Sequence, residues 1–139
     1  MSNVISKLHA GLSVLTLLAV ILQFFLAGLG VFGAEPYDAH ETNGYLIAVS
    51  ALLLLILGLI GRLNRERLGT SAGLLVLMIL QIALIESKKP WIEAFHPLVA
   101  LLILGASFQL ALRGRASLGG SRDRATRSDA GEPRVSPGR

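Results

Sequence analysis

The stretch Gly44–Gly61, GYLIAVSALLLLILGLIG, contains no charged residue, and only Tyr45 and Ser50 offer side-chain hydrogen bonds. A helix on the surface of a water-soluble domain needs one polar face. This stretch has none. It reads instead as a helix crossing a bilayer, where no water is available to satisfy side chains or backbone.

Working outward, three more runs have the same character: Leu12–Phe32, Leu68–Ile85 and Ala94–Leu112. The first extends backward over residues 4–11 through Lys7 and His9. Each run is close to the roughly 20 residues that cross a hydrocarbon core. Tyr45 and Trp91 flank the shorter ones and suit the headgroup zone. The apolar core of the first run exceeds the roughly 7–15 residues of a signal peptide, so it is expected to be a retained helix. The expected helices cover about 4–33, 38–62, 67–86 and 94–113. Short connections favour an up-down-up-down arrangement. The predicted class is therefore all-α: an integral membrane antiparallel four-helix bundle.

At 139 residues the chain is one domain. Its 53% apolar and 16% charged residues are segregated rather than mixed. With no cysteine there is no disulfide, thiolate chemistry or Cys-ligated metal. The net charge of +4 lies largely in one loop and the C-terminal tail. It reads as a topology signal with possible lipid contact, and no nucleic-acid partner is expected.

Arginine and lysine give the orientation. Arg62, Arg65 and Arg67 lie between the second and third runs. Lys7 precedes the first, and Arg113, Arg115 and five further arginines follow the fourth. The opposite side has only Lys88 and Lys89, among Glu35, Asp38, Glu41, Glu86 and Glu93. Both termini are expected to be cytoplasmic. Residues 114–139, rich in Gly, Ser, Arg, Asp and Pro, are expected to form a disordered basic tail.

Each predicted helix carries small or polar residues at helical spacing, expected to face inward. They are His9, Ser13, Thr16, Gln23, Ala27 and Gly30 on the first, and His40, Gly44, Ala48, Ala51 and Gly58 on the second. The third has Gly69, Gly73 and Gln81, and the fourth His96, Ala100, Ile103 and Ser107. Close packing accounts for most of these. The histidines and glutamines ask for more.

His40 lies in YDAHETNG, residues 37–44, where Asp38 and Glu41 have capping-box spacing. His96 lies in WIEAFHPL, residues 91–98, and Pro97 suits a helix N1 position. The two histidines fall at matching depth near the outer face, each with a small residue (Gly44, Ala100) one turn below. A haem between two helices needs an imidazole on each side of the iron and room for a flat ring. An intramembrane ionisable residue is also a functional candidate by default. The bland alternative is a pair of interfacial histidines at helix ends. Gln23 and Gln81 either line the same level or bond between helices, and Lys88 and Lys89 would face the propionates. His9, at the opposite end, has no partner histidine and reads as an interfacial or helix-packing residue. Glu93-x-x-His96 is half of a diiron pattern, and Asp38, His40, Glu41, Glu93 and His96 are a weaker zinc or copper set. No nucleophile–base pair or phosphate loop is present.

The pattern resembles one four-helix half of haem A synthase, whose halves carry histidines at the outer ends of their second and fourth helices. Gln23–Gly30, Asp38–His40 with Gly44–Tyr45, and His96–Leu102 also resemble a family of short, uncharacterised bacterial four-helix membrane proteins, over about residues 8–113. The first resemblance implies His40 and His96 as axial ligands of a b-type haem. The upstream glutamate and adjacent arginine of the synthase's helix-2 motif are missing, Glu41 follows His40 instead, and there is no second half. The expectation is therefore a single-haem protein of the bacterial inner membrane, serving electron transfer or haem handling rather than catalysis. Its partners would be the bilayer, a redox protein or quinol at the outer face, and further copies or a larger membrane complex. The alternative is a cofactor-free structural or accessory subunit.

Overall fold

A computed structural model describes residues 2–34 and 37–129 of the protein, and every regular element among them is helical. The elements are α1 (Ser2–Val31), α2 (Asp38–Ile60), α3 (Arg65–Glu86), the single turn α4 (Pro90–Glu93) and α5 (His96–Asp129). Four stretches are long and apolar enough to cross a membrane: Asn3–Val31, Asp38–Ile60, Arg65–Glu86 and Pro90–Ala116.

The helix ends follow from local chemistry. α1 stops where Gly33 takes a left-handed conformation (φ 68°). There Ala34 N–H reaches the Leu29 carbonyl and Gly33 N–H the Gly30 carbonyl, the paired bonds of a Schellman ending. α2 ends with the same two bonds, Leu63 N–H to Gly58 and Arg62 N–H to Leu59, but Arg62 occupies the left-handed position (φ 49°). Asn64 then caps α3, its side-chain oxygen accepting from Arg67 N–H at 3.1 Å.

Two local expectations are corrected. No capping box forms at Asp38–Glu41: the N-cap is Tyr37, without a side-chain cap bond, and both acids stand in the first turn of α2. There they face the positive end of the helix dipole. The fourth spanning stretch begins with α4, and His96 is the first residue of α5, with Pro97 one position further in. Proline's missing N–H costs nothing in a first turn.

α1 packs against α2 and α5, and α3 packs against the same two helices. The four long helices thus form a ring in which α2 and α5 are diagonal partners, as are α1 and α3. The interior is apolar at mid-height, with Val20, Ile47, Leu54, Leu74, Met78 and Ile103 buried together. The exterior is apolar as well: Leu15, Phe25, Val49, Val76, Ile79, Leu102 and Phe108 are all exposed. That inverts the pattern of a protein whose surface meets water, and it fits a surface covered by lipid.

The inward stripes are as expected on α1, α2 and α5, where Ser13, Thr16, Ala51, Gly58, Ile103 and Ser107 are buried. On α3 the expectation holds for Gln81 and fails for the two glycines. Gly69 and Gly73 are exposed, with nothing near the place of a Cβ. The inward side of α3 is Arg67, Ser71, Leu74, Met78, Gln81 and Leu84. A glycine has no polar group that gains from facing inward, whereas Ser71 and Gln81 find partners there. The backbone of α5 also continues as helix to Asp129, well beyond the end expected near residue 113. Between those points no proline interrupts a helix already nucleated in the apolar segment, and propagation costs far less than nucleation. The remainder of the expected tail, 130–139, lies outside the described residues.

Candidate ligand site at the histidine end of the bundle

Each end of the bundle carries its own polar cluster. At the arginine end, His9 is fully buried between Ser71 Oγ (3.3 Å) and Ser13 Oγ (3.4 Å), while Ser13 donates to the His9 carbonyl at 2.7 Å. Arg67 is buried beside Ser6 (3.4 Å), and Arg113 ties α5 to α3 through Thr70 (2.8 Å) and Glu66 (3.8 Å). Of the two readings of His9, interfacial or packing, its burial matches the packing one.

At the other end each of the four long helices contributes an amide or imidazole: Gln23 from α1, His40 and Asn43 from α2, Gln81 from α3 and His96 from α5. The two imidazoles lie across the α2–α5 diagonal, with ring centres 6.3 Å apart and planes inclined by 50°. Gln23 Nε2 donates to the His40 carbonyl at 2.9 Å, and Gln81 Nε2 to the His96 carbonyl at 3.1 Å. A helical carbonyl keeps a second lone pair after its own backbone bond, so both contacts are additional to the helix. The glutamines occupy opposite corners and each serves its neighbouring histidine.

The two rings differ in their surroundings. Gln23 Nε2 also approaches His40 Nε2 at 3.1 Å, and His40 Nδ1 faces the Gln23 backbone oxygen at 3.3 Å. An amide nitrogen can only donate, so His40 Nε2 accepts and the ring proton sits on Nδ1. Tyr37 stands edge-on to the ring at 6.1 Å and covers Gly30 of α1. Among the described residues His96 Nδ1, by contrast, is buried with no partner at hydrogen-bond distance and faces only the Gln81 backbone, and Gln81 Oε1 is likewise buried without one.

Gly44 makes room next to His40, but the occupant is the Gln23 amide, whose nitrogen would lie 3.3 Å from a Cβ at that position. Ala100 is half-buried one turn below His96. Lys88 and Lys89 are exposed on the loop before α4, Lys88 in a left-handed conformation (φ 52°). Among the described residues no three of His, Cys, Asp and Glu gather closely enough to hold a metal ion, so Asp38, Glu41 and Glu93 do not join the two histidines.

The residue that sequence reasoning missed is Asn43. It is buried, donating to the Ala19 carbonyl at 2.9 Å and to Gln23 Oε1 at 2.7 Å. Its signal was available. It lies three residues after His40 in α2, which places both on one face.

Over residues 23–88 the chain matches the model of a family described as "Family of unknown function (DUF6220)". The match takes in Gln23, His40, Asn43, Gly44, Gln81 and Lys88, and it stops before Lys89 and His96. It is shorter than the resemblance expected over residues 8–113. No curated protein and no solved structure matches the chain. Nothing in these comparisons links it to haem A synthase.

Proposed function

We propose that the protein is a small membrane-bound b-type haem protein in which His40 and His96 are the axial pair of one haem near the outer face. The observation that carries this reading is the pair of imidazoles at one level on diagonal helices, 6.3 Å between ring centres. Two imidazoles bonded through nitrogen to opposite sides of one metal ion, at about 2 Å each, have centres about 6 Å apart. The donor types and the spacing of the ring centres suit the group, while both ring nitrogens of His40 are held by Gln23. The buried, unpartnered His96 Nδ1 fits too, because a metal-bound histidine uses its other ring nitrogen for an outer hydrogen bond, and Gln81 Oε1 is an unpartnered acceptor on the neighbouring helix. What the chain must yield is the Gln23 amide, which fills the space beside Gly44.

When bound, such a haem supplies a one-electron carrier. The protein's own part is to hold the two rings, keep water out with the apolar layer below them, and offer Lys88 and Lys89 to the propionates. The bundle runs antiparallel, with the arginine end and both termini in the cytoplasm and the histidine end outside. In the bacterial inner membrane that placement gives access to a redox protein or quinol at the outer face. With one haem level, the chain alone does not carry electrons across the bilayer.

The test is a reduced-minus-oxidised visible spectrum of the detergent-purified protein, expressed with ample haem. Sharp α and Soret bands are expected, lost in both His40→Ala and His96→Ala. A colourless protein would sink the proposal. A second reading, a cofactor-free subunit of a larger membrane complex or oligomer, is favoured by one observation. Gln23 and Asn43 already satisfy His40 without any ligand. On that reading the histidine variants lose stability and change no spectrum.

A further inference from the structure

The two corners of the histidine end share one contact and differ in another. In both, a glutamine amide donates to the histidine carbonyl of the next helix. Only at His40 does the amide also reach the ring, where it occupies the Nε2 lone pair while Nδ1 turns to the Gln23 backbone. Asn43 braces that arrangement by donating to Gln23 Oε1, and it is itself anchored to the Ala19 carbonyl. At His96 the ring likewise faces the Gln81 backbone, but among the described residues no side-chain amide reaches either of its nitrogens.

We propose that Gln23 is a positioning residue that latches the His40 ring against α1, so that the paired imidazoles engage a metal centre in order, His96 first and His40 second. The proposal rests on the bis-imidazole reading above. A lone pair that already accepts an N–H must lose that bond before it can be given to a metal, whereas among the described residues no N–H is bonded to a ring nitrogen of His96. The same rule applies to any electrophile that seeks a ring nitrogen, so the latch can be read without haem.

The experiment is acylation of the haem-free, full-length protein in detergent with diethyl pyrocarbonate, followed by peptide mass spectrometry at each histidine. His40 should react about fivefold to tenfold more slowly than His96, the range set by one or two hydrogen bonds. Gln23→Leu should raise the His40 rate by a similar factor and leave His96 unchanged. Thr16→Val, which removes an interior hydroxyl bonded to Ser50 away from His40, should leave the ratio as it was. Equal rates at the two rings in the unaltered protein overturn the latch alone, and this comparison stands even if Gln23→Leu fails to fold. A His40 rate indifferent to Gln23→Leu in a folded variant does the same. Added haem should protect both rings. Protection of neither overturns the ordered loading together with the bis-imidazole reading.

Discussion

His9 shows what a single polar residue costs and supplies inside this bundle. It has no exposure at all, and its ring is held by two serines, one on its own helix and one on α3. In a bilayer the association of helices gains little from apolar burial, so such bonds count, at about 0.6 kcal/mol each on average. His9→Ala removes the ring and leaves a cavity, with an expected loss of about 2 kcal/mol, within the range for large-to-small changes at buried sites. Ser71→Ala removes one bond and should lose well under half as much. Thermal denaturation in detergent, or steric-trap unfolding in bicelles, measures both. Equal losses would mean that the Ser71 bond, rather than ring packing, dominates at this position.

At the scale of the element, two helix ends are strained by residues that their side chains suit badly. Arg62 and Lys88 hold left-handed backbone conformations that glycine adopts at no steric cost. Arg62→Gly should therefore raise stability by about 1 kcal/mol, with Leu63 N–H still bonded to Gly58. Gly33→Ala, at the equivalent left-handed position after α1, should lower it by a similar amount. Melting temperatures of the two variants, moving in opposite directions, check the pair. A charge in these positions has another use that glycine lacks, since Arg62 carries part of the charge asymmetry between the two ends.

For the whole molecule, that asymmetry is the expected determinant of orientation. Arg62, Arg65, Arg67 and Arg113 lie at one end, whereas Lys88 and Lys89 are the cations on the loop at the other. A fluorescent reporter fused after residue 139 should fold and glow on the cytoplasmic side, while a phosphatase reporter there should stay inactive. Exchanging Arg62 and Arg65 for Gln while adding lysines next to Lys88 should give a mixed orientation, read by cysteine accessibility from the two sides. A single, unchanged orientation would show that the first helix or the charges after Leu112 suffice.

Sequence alone determined the four spanning helices, because a bilayer leaves no other backbone structure for long uncharged runs, and length then sets the count. It also brought His40 and His96 to one level, since each stands near the start of a helix entering from the same side. It did not reveal that Gly69 and Gly73 face outward, because rotation of α3 is settled by what Ser71 and Gln81 meet on other helices. Nor did it pair Gln23 with His40 and Gln81 with His96. Those bonds join residues distant in the chain, and they depend on which helices are neighbours and which are diagonal. The spans are a property of local composition. The ring of two imidazoles and two amides exists only once four helices have been placed around one axis.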